Sequence, residues 1–511
     1  MTRVESQPRP AGMSRPLADL VTADAASLSV VVPGDVIVSD ITLDSRAVEA
    51  GGLFLAVKGL THHGLKFAGQ AVARGARAVL YEESPQITAP DFGPGVFVAA
   101  VPQLSQRASS IADRFFGAPS QAMTLAGITG TNGKTTCAWL LAQALQYCGR
   151  PAAYMGTLGF GRPPTVTPTA HTTSDAVSVQ RHLAALRSLG AECVSMEVSS
   201  HALDQARVTG VRFNTAAFTN LTRDHLDYHG TMEAYGAAKA RLFAWPSLAH
   251  RVINVDDPFG AQLAAQPSPA RLVVTTQKGA SAPNSEYVHA TRATPDTAGL
   301  VIGVESSWGP AELTVRLVGE FNVDNVLTVL ATLLAWNTPL PQAIRALEQC
   351  RAASGRMEMF GGRGLAPLAI VDYAHTPDAL SKALVAARLH CRGQLRVVFG
   401  CGGDRDAGKR PLMGRIAAEL ADELIVTDDN PRSEDPARIV ADIVAGIAGA
   451  APVVVEHDRA VAIRMALQRS VPEDVVVVAG KGHEDYQIYG TVRRPFVDQA
   501  IVAAALEGQR L

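Results

Sequence analysis

One stretch constrains this sequence more than any other: Gly130-Thr-Asn-Gly-Lys-Thr-Thr136. It follows the apolar run 125–129 and precedes an apolar segment, so it reads as a glycine-rich turn between a buried strand and a helix. Backbone N–H groups in such a turn, with the positive end of the following helix, form a cradle for phosphate. Lys134 can reach the terminal phosphates of a nucleotide, and the Thr135 hydroxyl can hold Mg²⁺. The stretch therefore predicts a nucleotide-binding loop.

The spacing of this loop differs from the usual one, because Ile128 stands where the usual loop has its first glycine. Gly127, Gly130 and Gly133 still let the backbone come close to a ligand. The order of strand, glycines, Lys-Thr pair and helix favours phosphate binding over an ordinary strand-to-helix turn.

Composition narrows the class of protein. The 511 residues suggest about three domains, and 47% hydrophobic with 18% charged residues is typical of folded globular chains. The net charge of -2 gives no bulk attraction to nucleic acid. The six cysteines form no C-x-x-C pair, so neither a zinc site nor a disulfide framework is indicated. Residues 1–20 lack the apolar core of a secretory signal, and no run of 18 apolar residues predicts a membrane span. We expect a cytoplasmic protein that binds no nucleic acid, does not insert into membranes and is a monomer.

The predicted fold class is α/β with three domains. Residues 1–104 read as a small α/β domain, and residues 105–352 read as a P-loop domain with a mainly parallel sheet. Within the latter, residues 277–308 look irregular and polar, as in a surface segment that bears a hairpin. Residues 353–511 contain four apolar strands that each end in polar residues, which is typical of a Rossmann-like domain with a ligand cleft at the carboxyl edge of its sheet.

Three ionisable residues in the central region have alternative readings. Glu197 ends an apolar strand, where a carboxylate is costly unless it is paired with a cation or bound to metal. His225 alone fits a loop or core histidine, but a metal role is favoured beside a nucleotide loop and Glu197. Lys239 shares a helix face with Tyr235 and Phe243, and this pattern alone favours a surface lysine with a buried stem.

The chain carries a series of motifs in an order that resembles the Mur ligases of peptidoglycan synthesis. These motifs are Gly130–Thr136, Glu197–His201, Asn220–His225, Gly319–Asn325, Ser354–Glu358 and Asp372–His375. Folylpolyglutamate synthetases share several of them. Two further stretches, Gly402–Asp406 and Asp429–Arg432, resemble the members of the family that add diaminopimelate. The resemblance covers nearly the whole chain.

The resemblance implies roles for individual residues. The ATP site would comprise Gly130, Thr131, Asn132, Gly133, Lys134, Thr135, Thr136, Asn325, Arg356, Asp372 and His375. The UDP-sugar-peptide site would comprise Leu43, Ser45, Thr172, Thr173, Ser199, Gln205 and Arg207. The diaminopimelate site would comprise Arg405, Asp429, Asn430, Pro431, Arg432, Gly480 and Glu484. The metal contacts would be Thr135, Glu197, His225 and Lys239, and the catalytic set Lys134, Glu197, His225 and Lys239.

For Lys239 the resemblance reverses the pattern-based reading, because it implies a carbamylated side chain (N6-carboxylysine) whose new carboxylate helps to bind Mg²⁺. The implied reaction uses ATP and Mg²⁺ to add meso-2,6-diaminopimelate to the D-glutamate carboxylate of UDP-N-acetylmuramoyl-L-Ala-D-Glu through an acyl phosphate. A lysine-adding Mur ligase and a folylpolyglutamate synthetase are the alternative enzymes. A nucleotide-gated regulatory protein is the alternative from another class.

Overall fold

The computed structural model describes residues 13–21, 31–59, 62–85, 87, 90–447 and 452–508. It divides into two compact units, the first comprising Met1–Val274 with Ala282–Ser285 and the second comprising Thr275–Ser281 with Glu286–Leu511. The predicted domain boundaries near residues 104 and 352 stay a prediction. No helix in the described parts of the chain is both long and apolar enough to cross a membrane.

The first unit opens with a small α/β region. Its elements are β1 (Arg15–Pro16), α1 (Leu17–Val21), β2 (Ile37–Val38), β3 (Ile41–Thr42), β4 (Leu53–Ala56), α2 (Ala68–Ala73), β5 (Ala78–Glu82), β6 (Phe97–Val101) and α3 (Leu104–Phe115). Strands β3 to β6 form a parallel sheet in chain order. All four residues of β4 are buried, as expected for an apolar strand inside a covered parallel sheet.

The remainder of the first unit surrounds a larger sheet. Its elements are β7 (Thr124–Thr129), α4 (Lys134–Tyr147), β8 (Ala152–Gly156), β9 (Gly159–Arg162), β10 (Thr165–Thr167), α5 (Ala176–Ser188), β11 (Cys193–Glu197), α6 (Ser200–Asp204), β12 (Thr215–Phe218), α7 (Leu226–His229), α8 (Met232–Ala240), β13 (His250–Asn254), α9 (Pro258–Ala265) and β14 (Arg271–Thr276). Strands β8, β11, β7, β12 and β13 lie side by side and parallel. Since β7 is central, the loop that follows it leaves the middle of the sheet's carboxyl edge, where α/β proteins bind ligands.

The second unit begins with an antiparallel meander and two helices. These are β15 (Glu286–Asp296), β16 (Gly299–Ser306), β17 (Ala311–Val315), α10 (Phe321–Ala335) and α11 (Leu340–Gln349). The prediction of an irregular segment at 277–308 is wrong, since β15 alone is 11 residues long, but the hairpin considered for this stretch is present as β15 and β16. The polar residues that made this stretch look irregular alternate with buried residues, because one face of the hairpin is exposed and the other packs inward.

The rest of the second unit is a doubly wound region. Its elements are β18 (Glu358–Gly361), β19 (Leu368–Asp372), α12 (Pro377–Arg388), β20 (Leu395–Phe399), α13 (Lys409–Leu420), β21 (Glu423–Val426), α14 (Pro436–Val444), β22 (Val453–Val455), α15 (Arg459–Gln468), β23 (Val475–Ala479), β24 (Tyr486–Tyr489), β25 (Val492–Pro495) and α16 (Asp498–Gly508). Strands β19, β23, β20, β21 and β22 are parallel neighbours. The prediction that four strand ends deliver polar residues to one edge is confirmed.

Candidate functional site

The loop between β7 and α4 has the conformation that its glycines predicted. Gly133 caps α4 with φ of 85°, a left-handed conformation that residues with a side chain rarely adopt. A Cβ on Gly130 would overlap the Thr219 hydroxyl. The loop is anchored to the end of β12, because Thr131 N donates to Asn220 O at 2.8 Å and Asn132 N donates to Asn220 Oδ1 at 2.9 Å. The peptide groups of the cradle are thus held in place by the neighbouring strand end.

Two lysines converge on this loop. Lys134 Nζ donates to the carbonyl oxygens of Gly130 at 2.9 Å and Thr131 at 2.8 Å, and Lys239 Nζ donates to the same Gly130 oxygen at 2.8 Å. Lys239 is only 1% exposed, so the pattern-based reading of a surface lysine is wrong. Burial, with a further contribution from the charge of Lys134, lowers the pKa of Lys239 to about 6. Its amine is therefore mostly neutral at pH 7.

Glu197 lies at the end of β11, fully buried beside the loop. Its Oε2 accepts a hydrogen bond from the Thr135 hydroxyl at 2.9 Å and from the Thr157 hydroxyl at 3.2 Å. Its Oε1 accepts from the Tyr154 hydroxyl at 2.5 Å and from Thr157 N at 2.9 Å. Tyr154 and Thr157 were missed in the sequence, since neither belongs to a motif that the sequence analysis used. All four donors are neutral, so the structural salt bridge considered for Glu197 is not formed among the described residues.

The predicted metal contacts are only partly gathered. The Thr135 hydroxyl and the Glu197 carboxylate touch, and oxygen ligands of this kind suit Mg²⁺. His225 instead lies half-exposed, with Nε2 3.5 Å from Asp224 Oδ2 and its ring 6.0 Å from the ring of Tyr235. Within the described ranges, no group of three or more His, Cys, Asp and Glu side chains is arranged to hold a metal ion. The roles of His225 and of a modified Lys239 as ligands stay predictions.

The residues predicted to hold the sugar-peptide substrate form one hydrogen-bonded network beside Glu197. The Thr172 and Thr157 hydroxyls are 3.0 Å apart, and the Thr173 hydroxyl donates to the Glu197 carbonyl at 2.9 Å. Its oxygen accepts from Ser199 N at 3.1 Å. The sequence analysis predicted that these residues form one site, but it did not predict their hydrogen bonds. Those bonds link the predicted substrate residues directly to Glu197.

Arg207 extends that network. Its Nη1 donates to Thr173 O at 2.9 Å, and its Nη2 donates to Gln205 Oε1 at 2.6 Å. Gln205 Nε2 in turn donates to the Tyr228 hydroxyl at 3.1 Å. Burial is the main cause that lowers the pKa of Arg207, although a guanidinium stays charged. A fixed cation therefore lies next to Thr173.

Leu43 and Ser45 lie in the turn after β3. The Ser45 hydroxyl donates to Gln70 Oε1 at 2.8 Å, and Leu43 packs against the apolar core of the small sheet. Arg46 is exposed and pairs with Asp44 at 2.9 Å, which holds the pKa of that carboxyl below its usual value. Both predicted residues are thus held in place within the first unit.

In the second unit, Arg432 has an unusual backbone. Its φ is 53°, a left-handed conformation that is uncommon for a residue with a side chain. The strand β24 and the turn after it stabilise this conformation, since Arg432 N donates to Ile488 O at 3.0 Å and Gly490 N donates to Arg432 O at 2.6 Å. The guanidinium Nη1 donates to Gly403 O at 2.7 Å. The side chain is therefore aimed by two segments that are far apart in sequence.

Asn430 and Glu484 lie close to Arg432. Asn430 Nδ2 donates to Glu484 Oε2 at 2.8 Å, and Asn430 Oδ1 accepts from Ile488 N at 3.0 Å. Asp429 is buried and Arg405 is exposed. The other predicted members, Pro431 and Gly480, adjoin them, because an added Cβ on Gly480 would lie 2.7 Å from Asp429 Oδ2. Arg405 adjoins Arg432, because an added Cβ on Gly402 would lie 3.8 Å from Arg405 Cγ and 2.8 Å from Arg432 Nη1. The structure thus gathers the residues predicted for the amino-acid site at the carboxyl edge of the sheet.

Three of the four ATP residues predicted in the second unit cluster around Tyr373. Asp372 Oδ2 accepts from Met357 N at 2.8 Å, and burial raises the pKa of this carboxyl. The Arg356 guanidinium lies 5.9 Å from the Tyr373 ring centre, and His375 Nδ1 lies 2.9 Å from Tyr373 O. Asn325 lies apart on α10, where its Nδ2 donates to Asn322 Oδ1 at 2.8 Å.

Comparisons with known proteins define the class. The family models for the Mur ligase family catalytic domain, the Mur ligase middle domain and the Mur ligase glutamate ligase domain match residues 38–114, 128–333 and 355–482. The chain belongs to the Mur ligase family, whose members are ATP-dependent amide ligases. The predicted family and the predicted three-domain α/β fold class are confirmed.

Individual relatives show which members of the family this chain is similar to. A protein of Ectopseudomonas mendocina is 49% identical over 463 residues, which are 91% of this chain and 94% of the relative. One of Pseudomonas aeruginosa is 47% identical over 469 residues, with the same coverages. A solved structure with a TM-score of 0.76 is 35% identical and covers 98% of this chain and 100% of its own. All three are named UDP-N-acetylmuramoyl-L-alanyl-D-glutamate–2,6-diaminopimelate ligase. An ADP complex of MurF from Thermotoga maritima, at 18% identity and a TM-score of 0.58, shares the fold.

Proposed function

We propose that this protein uses ATP to join meso-2,6-diaminopimelate to the D-glutamate carboxylate of UDP-N-acetylmuramoyl-L-Ala-D-Glu, a step of peptidoglycan synthesis. Relatives of that name match more than nine-tenths of the chain. The observation that carries the proposal is that Ile488 fixes both Arg432 and Asn430, because Arg432 N donates to Ile488 O and Ile488 N donates to Asn430 Oδ1. Asn430 in turn binds the Glu484 carboxylate, so a guanidinium and a carboxylate are held by the same strand, which suits an amino acid with both charges.

The chemistry follows from the poor reactivity of a carboxylate. A carboxylate oxygen of the glutamate attacks the γ-phosphorus of ATP, the bond to the ADP oxygen breaks, and an acyl phosphate forms. The amine of diaminopimelate then attacks the acyl carbon, and inorganic phosphate leaves with the electron pair of the broken C–O bond. Both reactants are anionic, so the protein's task is to cancel charge and fix geometry. In this proposal Lys134, whose Nζ lies on the carbonyl oxygens of Gly130 and Thr131, performs this task together with the amides of the 130–136 loop.

Mg²⁺ fits the oxygen chemistry of Thr135 and Glu197, which would hold it together with His225 and the carbamate of Lys239. When bound, the ion neutralises phosphate charge. The carbamate forms when the neutral amine of Lys239 adds to CO₂ and loses a proton. The lowered pKa of Lys239 supports this modification, since only the neutral amine is nucleophilic.

The two sets of substrate residues have separate roles in this proposal. Leu43 and Ser45 would bind the uridine end, while Thr172, Thr173, Ser199, Gln205 and Arg207 would bind the sugar-peptide end. Arg207 supplies a fixed cation for a substrate carboxylate. Asn325, Arg356, Asp372 and His375 would bind ATP. We place the enzyme in the cytoplasm, where ATP and nucleotide-linked precursors occur.

Phosphate release tests the proposal. The protein is incubated with ATP, Mg²⁺ and the muramoyl dipeptide nucleotide, and diaminopimelate isomers, lysine and ornithine are added in turn. We expect release with meso-diaminopimelate only. Equal release with lysine would indicate a lysine-adding ligase, and release that needs a folate but no muramoyl nucleotide would indicate a folylpolyglutamate synthetase. ATP binding without any amino-acid-dependent release would leave only the regulatory alternative.

A further inference from the structure

A buried lysine behind the amino-acid site has no role in the function proposed above. Lys481 directly follows Gly480, at the carboxyl end of β23, and its side chain is fully buried. Most lysines keep their ammonium in water, so a buried one needs specific partners. We propose that Lys481 is a positioning residue, which orients Glu484 and Asn430 for the incoming amino acid. This inference rests on the proposed function, since it concerns the same pocket.

The contacts of Lys481 form a closed triangle. Its Nζ is 3.1 Å from Glu484 Oε2 and donates to Asn430 Oδ1 at 3.3 Å. The third side of the triangle is the 2.8 Å bond from Asn430 Nδ2 to the same Glu484 oxygen. Asn430 Oδ1 also accepts from Ile488 N at 3.0 Å. The Asn430 amide therefore has only one orientation that satisfies its three partners, Lys481 Nζ, Glu484 Oε2 and Ile488 N.

The triangle decides which Glu484 oxygen is available to a ligand. Oε2 is occupied by Lys481 and Asn430, whereas Oε1 accepts from the described residues only a long bond of 3.5 Å, donated by the Tyr486 hydroxyl. The Glu484 side chain is 17% exposed while that of Lys481 is 0% exposed, so a ligand reaches the carboxylate and not the ammonium. Glu484 Oε1 thus remains as an acceptor for a substrate ammonium group. Lys481 acts behind it, without touching the substrate.

Lys481 also sets the charge of the pocket. Without Lys481, the Glu484 carboxylate would face an incoming zwitterion with no cation among the described residues bonded to it. One buried ammonium offsets part of this charge, and Arg432 remains for a substrate carboxylate. Loss of Lys481 leaves Glu484 free to change rotamer and removes a donor from Asn430 Oδ1, which is buried. The expected consequence is weak amino-acid binding rather than a slower phosphoryl transfer.

Lys481→Met tests the inference, because methionine has a similar length and fills the space without donating hydrogen bonds. We expect KM for meso-diaminopimelate to rise roughly 10- to 100-fold, as for other residues that orient ligand-binding groups. The KM values for ATP and for the muramoyl nucleotide should stay within about twofold of wild type. Arg396→Met is the matched control, since Arg396 is a buried cation paired with Glu423 and Asp474 at the opposite end of the strands. It should lower Tm and leave KM for diaminopimelate unchanged.

A double-mutant cycle separates positioning from general packing. If Lys481 acts through Glu484, then adding Lys481→Met to Glu484→Gln should raise KM for diaminopimelate by no more than about twofold over Glu484→Gln alone. Additive effects of the two substitutions would overturn the inference. So would a wild-type KM for diaminopimelate in folded Lys481→Met, or in Lys481→Gln should the methionine variant not fold. Wild-type protein that shows no diaminopimelate-dependent phosphate release would instead refute the proposed function.

Discussion

Lys134 and Lys239 donate hydrogen bonds to the same carbonyl oxygen, that of Gly130. Two ammonium groups on one acceptor repel each other, and Lys239 is buried while Lys134 is half-buried, so burial and the charge of Lys134 lower the pKa of Lys239 to about 6. Burial is also the main cause of the lowered pKa of Lys134. The repulsion between the two lysines and the cost of burying charge are both smallest when Lys239 is neutral. A carbamate on Lys239 would replace the repulsion by an attraction to Lys134.

Replacement of Lys239 should remove activity. We expect Lys239→Ala to lower kcat about 10²- to 10³-fold, the usual cost of losing a group that stabilises developing charge. Short carboxylic acids should restore part of the activity by supplying the missing carboxylate. Lys382→Ala, which removes an exposed lysine paired with Asp378, is the control. Unchanged activity in Lys239→Ala would exclude the carbamate.

The same modification should depend on pH. Because the pKa of Lys239 is about 6, the neutral amine predominates above that value and the charged form predominates below it. Labelling with ¹³C-bicarbonate should therefore give a carbamate carbon signal at pH 8 that weakens as the pH falls through about 6. The signal should be absent from Lys239→Ala. A signal that persists in this variant would place the carbamate elsewhere.

Glu197 should be needed for chemistry more than for folding. In Glu197→Gln the amide oxygen can still accept hydrogen bonds from Tyr154 and Thr157, so we expect Tm to change by only a few degrees, about 2–4 °C. Phosphate release should fall roughly 10²- to 10³-fold because a charged oxygen ligand is lost. Glu192→Gln, an exposed position just before the same strand, is the control. Wild-type turnover in Glu197→Gln would refute the metal role.

Arg432 should set the choice of amino acid. A forked guanidinium can pair with the distal carboxylate of diaminopimelate, which lysine lacks. We expect wild-type kcat/KM to favour diaminopimelate over lysine by roughly 10³- to 10⁵-fold, and Arg432→Ala to reduce that ratio sharply. Arg388→Ala, which removes a surface arginine paired with Asp422, should keep the wild-type ratio of kcat/KM values. Comparable kcat/KM values for both amino acids in wild type would contradict the role of Arg432.

His182 should make stability depend on pH. Its ring is buried and stacks on Phe160 with 4.0 Å between centroids, and burial lowers its pKa from 6.5 to about 4. Between these values the unfolded chain binds more protons than the native one, so the free energy of unfolding falls as pH falls from 6.5 to 4. The loss attributable to His182 approaches about 3 kcal/mol. Urea unfolding at several pH values measures it.

The control for this prediction compares how the free energy of unfolding depends on pH in two histidine variants. His182→Gln should lose the part of the pH dependence that lies between 4 and 6.5, whatever its stability at pH 7. His171→Gln, at an exposed position, should keep the wild-type dependence. If the free energy of unfolding changed with pH equally in wild type and His182→Gln, the prediction for the His182 imidazole would be wrong.

Patterns within short stretches of the sequence were sufficient to predict much of the fold and part of the candidate site. The nucleotide loop, the strand ends at Glu197 and Asp372, and the parallel sheets followed from glycine spacing, apolar runs and the βα alternation. These features depend on residues that are close together in the chain, so a sequence pattern contains them. The length and bounds of strands β15 and β16 were not predicted, because their exposed faces are polar and only packing reveals which face is buried.

The sequence by itself determined the family, the order of elements and the residue types that reach the carboxyl edges of the sheets. The tertiary structure alone decided that Lys239 is buried on the Gly130 carbonyl, that Tyr154 and Thr157 surround Glu197, and that Lys481 stands behind Glu484. Hydrogen bonds join Lys239 to Gly130, Tyr154 to Glu197 and Lys481 to Asn430, and these partners are 109, 43 and 51 residues apart in the chain. These long-range contacts shift pKa values and fix side-chain orientation, and no local spacing encodes them.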